Sequence, residues 1–372
     1  MDIFDDINAT NLGTYWTTKS QNTAPYLWDT LFPVQKQLSD TFQFYRGTSR
    51  APHALAPSAF GVPAIMRDRQ GYQKVTDRTR YFKEGKYIDE NLRQELLRVQ
   101  SNGSDGQKDI INNRIFADMA ELLDGAILTQ EIVRNQMVQT GKLNVFGNGQ
   151  VINDVDYKLM STHKVVNAKA WGTDGSKPFD DIDQAQYVVG NDSDQTITRA
   201  VMNRATFTAL LHDENVKGTL FYDNGKLANV ALPQSELLNY LSTQYGLEVV
   251  VYDKQYVDLD GQTKKWIPDG RVIFMPAGNL GNTVTSTTPE EADLLGTSAA
   301  DVSLVNGGIA ISTITTADPV NKKINVSQQF LPSFEQIDGI YILDAFATAA
   351  KDPTDYSAPA ATGTQTTTAP KQ

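Results

Sequence analysis

The feature that most constrains the fold is a long amphipathic helical pattern between Asp105 and Thr140. Ser104 and Gln107 form a Ser-x-x-Gln capping box at its start, and Gly141 follows where a left-handed residue is favoured. Apolar residues recur at helical spacing: Ile111, Ile115, Met119, Leu122, Ala126, Val133 and Met137. A helix of this length spans on the order of 50 Å, well above the usual three turns. The pattern predicts a stiff rod, or alternatively a core helix of a large enzyme.

Composition excludes several classes of protein. The chain has 372 residues, enough for two or three domains, and 40% of them are apolar. It contains no cysteine, which excludes disulfides, thiolate zinc sites and cysteine nucleophiles. No apolar run approaches the ~20 residues of a membrane helix, and the acidic N-terminus lacks a signal-peptide pattern. We therefore expect a soluble protein that is made and folds in a cytoplasm.

A basic segment precedes the helix. It predicts a β-hairpin, with one strand at Val62–Arg67, a turn at 68–71 and a second strand at Tyr72–Phe82. Nine basic and three acidic residues lie between Arg46 and Lys86, so this segment has a net charge of +6. Because the whole chain has a net charge of −11, the rest of it carries −17. A basic loop on an acidic body favours self-association by electrostatic steering. The alternative is a nucleic-acid arm, since arginine and tyrosine interleave.

The first 47 residues are polar with scattered aromatics and show no sustained period. They predict an extended arm whose aromatic side chains dock on another surface, the alternative being a segment packed on its own domain. The candidate residues for contact between subunits come from this arm and the basic loop: Trp16, Trp28, Phe32, Arg67, Arg69, Arg78 and Arg80.

From about Thr196 the sequence predicts a mixed α/β region. The expected elements are a strand at Ile197–Met202, a helix at Ala205–His212 capped by Asn203, a helix at Glu236–Gln244 capped by Ser235 and ended by Gly246, a strand at Leu247–Tyr252, a hairpin at Val257–Ile267, a strand at Arg271–Met275, a β-rich stretch at Gly308–Phe330 and a strand at Gly339–Leu343. Residues 351–372, rich in threonine, alanine and proline, are predicted to be disordered.

The search for chemistry finds no catalytic, cofactor or metal residues. The three histidines lie in unrelated segments, and lone surface histidines are the default interpretation. Phosphate-loop, nucleophile-elbow and dinucleotide-binding motifs are missing. Asp258-x-Asp260-Gly261 is best interpreted as a hairpin turn, and Asp180, Asp181 and Asp183 as a solvated acidic loop. We expect no cofactor and no enzymatic activity.

Several segments, in order, resemble the lambda-type family of tailed-bacteriophage major capsid proteins (major head proteins). They are Leu31-Phe32-Pro33 with Phe42-Gln43-Phe44, then Val155-Asp156-Tyr157 ahead of Trp171 and Phe179–Ile182, then Ile267–Gly278 with Leu280-Gly281 and Glu290, and finally Pro332–Leu343. They cover most of the chain up to about residue 350. One departure is Lys158, which stands where the family usually has glycine after the Asp-Tyr pair.

The resemblance implies an α+β, Hong Kong 97-like capsid fold. It assigns residues 1–47 to an N-terminal arm, 48–87 to an extended β-hairpin loop, 88–165 and 285–335 to a peripheral domain with the spine helix 105–140, 166–284 and 336–350 to an axial domain, and 351–372 to a disordered tail.

The same resemblance implies a function. The chain would assemble as hexamers and pentamers into an icosahedral shell that encloses phage DNA as cargo, in the host cytoplasm, and would end in the virion. The partners implied are a portal, a decoration protein and, since Met1 leads almost directly into the arm, a separate scaffolding protein, with no membrane. The alternatives are another phage structural subunit, such as a tail-tube or decoration protein, and an α/β enzyme with an unrecognised site.

Overall fold

The structure is a computed structural model. It describes residues 7–21, 24–46, 57, 60–61, 63, 73–88, 90–91, 93–94, 97–98, 105–147, 150–221, 231–258, 261–294, 296, 300–317 and 320–353; within these, side chains are not described at 44–46, 73–75, 105–112, 145–147 and 150–154. The chain divides into two compact units. The first unit comprises Met1–Gly47, Ala56–Arg134 and Gly278–Gln336, and the second comprises Thr48–Leu55, Asn135–Ala277 and Ile337–Gln372.

The α-helices whose bounds lie in the described part are α1 Ala9–Ser20, α2 Asp105–Thr140, α3 Pro178–Ser193, α4 Arg204–His212, α5 Glu214–Leu220 and α6 Gln234–Tyr245. The strands there are β1 Val34–Gln37, β2 Thr41–Arg46, β3 Gln73–Arg78, β4 Arg80–Ile88, β5 Lys142–Gly147, β6 Gln150–Asp156, β7 Lys164–Val166, β8 Ile197–Met202, β9 Glu248–Val251, β10 Gln255–Val257, β11 Thr263–Lys265, β12 Arg271–Pro276, β13 Thr283–Ser286, β14 Asp301–Val305, β15 Ile309–Ala317, β16 Val320–Pro332 and β17 Tyr341–Asp344. A short π-helix spans Glu290–Leu294.

The first unit is built on a sheet in the order β1-β13-β16-β15-β14, and β4 also pairs with the long strand β16. All of these pairs are antiparallel except β1 with β13. Apolar residues of α1, of the first half of α2 and of the sheet form one core; they include Leu12, Trp16, Ile115, Met119, Leu123, Ile309, Ile311, Ile324 and Val326. Alternation along β15 and β16 supplies the sheet side of this core.

The second unit holds a five-stranded mixed sheet in the order β7-β17-β12-β8-β9. Its central strand β12 is buried along its whole length, as expected for a strand covered on both faces. Helices α3, α4 and α6 pack on the sheet through Ile182, Phe207, Leu237 and other apolar residues. Two hairpins, β5–β6 and β10–β11, complete this unit.

The helix predicted at Asp105–Thr140 is confirmed at both ends. Its end follows the expected rule, since Gly141 has φ +66° and its N–H donates to the Met137 carbonyl oxygen over 2.8 Å. Ser104, the other half of the predicted capping box, lies outside the described residues. The single apolar stripe is wrong for the last third, where every residue from 130 to 139 is buried, polar side chains included.

Several other sequence predictions need correction. The arm is not simply extended, because α1 lies within it, capped by Asn8, whose side-chain oxygen accepts from the Asn11 N–H over 2.7 Å. Ser235 is not the cap of α6, which begins at Gln234 after Pro233. The Asn203 cap, the Gly246 end and the β10–β11 hairpin are confirmed, although Asp260 lies outside the described residues. Residues 354–372 of the predicted tail also lie outside them.

Candidate subunit-contact surfaces

The basic loop predicted from the sequence begins and ends in a two-stranded ribbon. Strands β2 and β3 pair antiparallel from Thr41 opposite Arg78 to Arg46 opposite Gln73. The predicted hairpin between Val62 and Phe82 is therefore wrong in its pairing, because residues 73–78 pair with β2. The connection between the strands contains Arg67 and Arg69, which lie outside the described residues.

Thr79 separates the ribbon from the main sheet of the first unit. Its buried N–H donates to the Asp40 carbonyl oxygen over 2.8 Å, and its hydroxyl lies 2.9 Å from the Ser286 hydroxyl. The Gln329 side-chain amide donates to the same hydroxyl over 3.0 Å. Because Thr79 bonds to these groups, it takes no place in either ladder, and the chain passes from the ribbon to β4, which pairs with β16.

Several cations of the basic segment are compensated inside the subunit. Arg80 lies 3.1 Å from Asp77, and Lys83 lies 2.6 Å from the carboxylate of Glu290. Lys86 lies within 2.8 Å of both Asp118 and Glu121 on α2. Arg78 is exposed. The local charge of +6 thus overstates what the loop offers to a neighbouring copy, since Lys83 and Lys86 pair with acids from other segments.

Glu290 is the most strongly perturbed acid near this segment. Only 4% of the residue is exposed, and its carboxylate accepts from the Tyr81 hydroxyl over 2.6 Å, from the Lys83 ammonium over 2.6 Å and from the Ser327 hydroxyl over 2.8 Å. Burial opposes ionisation, but these three donors outweigh it and hold the pKa of Glu290 at about 2. The Tyr81 pKa is raised by burial and by its bond to this carboxylate.

The aromatic residues predicted to reach another subunit pack within the first unit. Trp28 and Phe32 are fully buried, and Trp16 is 6% exposed with its indole N–H donating to Asp124 over 2.8 Å. Phe32 packs edge-on against Phe334, with ring centroids 5.8 Å apart. These side chains have almost no surface left for a neighbouring copy, so the structure favours the alternative, a segment packed on its own domain.

A buried polar network on α2 was missed at the sequence level. Arg134 is fully buried, lies 3.0 Å from Asp29 and 3.3 Å from Glu131, and its Nε donates to the Thr283 hydroxyl over 2.9 Å. Glu131 also accepts from the Trp28 N–H over 2.8 Å. Burial raises the pKa of Glu131 to about 7 despite these two donors. The spacing of apolar residues along α2 could not predict this network, because that pattern assigns polar residues to the solvent-facing side of the helix.

A second buried arginine, in β12, holds residues 344–352 in place within the second unit. Arg271 bonds to both carboxylate oxygens of Asp344 at 2.9 and 3.1 Å and to Asp352 at 2.7 Å. It also donates to the Ala350 carbonyl oxygen over 3.0 Å. Residues 351–353, which the sequence assigns to the disordered tail, are therefore part of this unit's described structure. Arg271 belongs to the Ile267–Gly278 motif, so its burial explains part of that motif.

The second unit contains a cavity of about 410 Å³ beside the β10–β11 hairpin. Two of its lysines are already paired, Lys264 with Asp258 and Lys265 with Asp269. His163 is fully buried in the same unit, which corrects the expectation of a surface histidine, and its ring nitrogens lie 2.8 Å from the Ile340 carbonyl oxygen and 3.3 Å from Asp192. His212 is exposed, and His53 lies outside the described residues.

Within the described part of the chain, no group of three or more histidine or acidic side chains is arranged to hold a metal ion. No helix there is long and apolar enough to cross a membrane. The described side chains form polar clamps between strands, and between β12 and residues 350–352.

Solved structures of phage proteins have the same fold. A protein from a prophage of Escherichia coli CFT073, assigned as its capsid protein, matches 91% of this chain and 99% of its own, with a TM-score of 0.58 and 16% identity. A phage-related protein from Bordetella bronchiseptica RB50 matches 90% of this chain and 97% of its own, with a TM-score of 0.50 and 13% identity. No curated protein sequence matches the chain. The fold is thus the Hong Kong 97-like fold of phage capsid proteins, as the sequence predicts.

The model of the phage major capsid protein E family matches residues 8–345. The chain therefore belongs to the phage major capsid protein E family. The one departure noted in the family's middle motif has a structural counterpart, because Lys158 has φ +60°, a conformation that glycine adopts without cost. The Lys158 N–H donates to the Asp156 side chain over 2.7 Å, which supports this backbone conformation.

Proposed function

We propose that this protein is the shell-forming subunit of a phage head and assembles as hexamers and pentamers into a closed icosahedral container for DNA. The family match over residues 8–345, together with the capsid fold, carries the proposal. Many weak contacts repeated around a closed lattice hold such a shell through avidity. Each contact needs to bury only modest apolar area, at roughly 25 cal/mol per Å².

The ribbon β2–β3 is the base of the loop that we assign to contact with a neighbouring copy. The ribbon carries the exposed Arg78, and the connection contains Arg67 and Arg69, whereas the rest of the chain is net acidic. Opposite charges would steer two copies together. The acidic remainder also suits an inner wall that does not grip DNA, so the packaged genome is enclosed cargo. A scaffolding protein, a portal and a decoration protein complete the expected set of partners.

Several finer points follow from the same proposal. Assembly takes place in the host cytoplasm, and the shell then becomes part of the virion. The role is structural and not enzymatic, and it needs no cofactor.

Electron microscopy of the expressed protein, alone and with its neighbouring genes, tests the proposal. Closed shells are the expected result. Tubes would instead indicate a tail subunit, and dispersed globules with hydrolytic or ligand-binding activity would indicate an enzyme. Either outcome contradicts the assignment.

A further inference from the structure

The Glu290 carboxylate links β4, the strand that follows the basic ribbon, to β16, the long strand of the first unit's sheet. Lys83 and Ser327 are directly opposite each other in the β4–β16 ladder, and both donate to this one carboxylate. Tyr81, two residues before Lys83, adds a third donor from the same face of β4. The carboxylate therefore spans the ladder at the end of β4 that follows Thr79.

The donors are more exposed than the acceptor. Tyr81 is 44% exposed and the Lys83 side chain 39%, whereas the Glu290 side chain is 5% exposed. An ion pair with one buried partner is rarely a strong source of stability, because desolvation of that partner offsets the attraction. Its directional bonds do restrict where the start of β4 can lie. The π-helix that holds Glu290 is a rare element that often marks functional positions.

We propose that Glu290 is a positioning residue: it fixes the start of β4, and through Thr79 the β2–β3 ribbon, in the direction from which the basic loop reaches a neighbouring copy. The inference rests on the proposed contact of that loop with another subunit. The ribbon and β4 are joined through the single residue Thr79, whose hydroxyl and N–H are bound to the first unit. Loss of the Glu290 clamp leaves the start of β4 held by the β4–β16 ladder and by the bonds of Thr79.

Hydrogen–deuterium exchange of the unassembled full chain tests the positioning. Glu290→Gln keeps the shape of the side chain and removes its charge, and we expect exchange in peptides covering 73–88 to become about tenfold faster while peptides of β14 and β15 keep their rates. Glu291→Gln is the matched control, because Glu291 is the next residue of the same short helix and pairs with Lys36. It should leave 73–88 unchanged.

Uniform acceleration across the first unit would overturn the inference, since it would show a general structural role, and so would unchanged exchange at 73–88. If Glu290→Gln does not fold, Tyr81→Phe removes one donor only, and exchange in the same peptides should become about threefold faster. Unchanged exchange at 73–88 in Tyr81→Phe would also contradict the inference. Electron microscopy of the same samples separates the two proposals. Faster exchange at 73–88 with normal shells would retain the positioning role and reject the contact role of the loop.

Discussion

Glu131 is a carboxylate without solvent contact, and its ionisation opposes folding. Its pKa is about 7 in the folded chain, against an ordinary 4.5. A raised folded-state pKa gives stability that is complete below the unfolded value and is lost as the pH rises through about 7. We predict that the wild type loses about 1 to 3 kcal/mol of unfolding free energy between about pH 5 and pH 8 relative to Glu131→Gln. Thermal or urea unfolding of both chains across this range measures the difference; parallel curves would contradict it.

Trp28 distinguishes a core residue from a contact residue. Trp28→Ala should destabilise the unassembled subunit by about 3 to 5 kcal/mol, because it removes a fully buried indole. Leu38, which is 89% exposed, provides the control, and Leu38→Ala should change stability by less than about 0.5 kcal/mol. Urea unfolding gives both values. An unchanged subunit whose assembly alone fails would instead assign Trp28 to the contact between subunits.

At the scale of elements, the helix α2 was the most predictable part of the fold. Its long periodic pattern and terminal glycine are local signals, so its bounds could be predicted from residues adjacent in sequence. Helix α1 was missed because its apolar residues are few and pack against β14 and β15, which lie far away in sequence. The partner of β3 was missed for the same reason, since pairing with β2 depends on a connection of 26 residues.

The end of α2 gives a test at this scale. Gly141→Ala should cost about 1 to 2 kcal/mol, because alanine disfavours φ +66° and its Cβ would overlap Leu159. Gly125 lies inside the same helix with no atom near the place of a Cβ, so Gly125→Ala should stabilise by about 0.5 to 1 kcal/mol. Equal effects of the two substitutions on urea unfolding would show that the left-handed end is not needed.

At the scale of the whole molecule, charge should govern assembly. Reversal of Arg67, Arg69, Arg78 and Arg80 to glutamate should reduce shell yield by about tenfold or more, and moderate salt should weaken wild-type assembly, because both reduce attraction between the loop and an acidic neighbour. The matched control reverses four exposed lysines outside the loop: Lys19, Lys158, Lys177 and Lys265. Particle counts by electron microscopy provide the measurement, and normal shells from the arginine variant would refute the role of the loop.

The long helix, the Asn203 cap, the Gly246 end and the β10–β11 hairpin were predicted from the sequence, because each depends on residues near one another in the chain. The family was predicted from the order of short motifs along the chain. Which polar residues are buried depends on contacts that form only when the whole unit folds. Arg134, Arg271 and Glu290 are charged residues of types that usually lie at the surface, and each has a partner from a segment tens to hundreds of residues away. A buried charge is tolerated only where such partners meet it, and that meeting is set by folding of the whole unit.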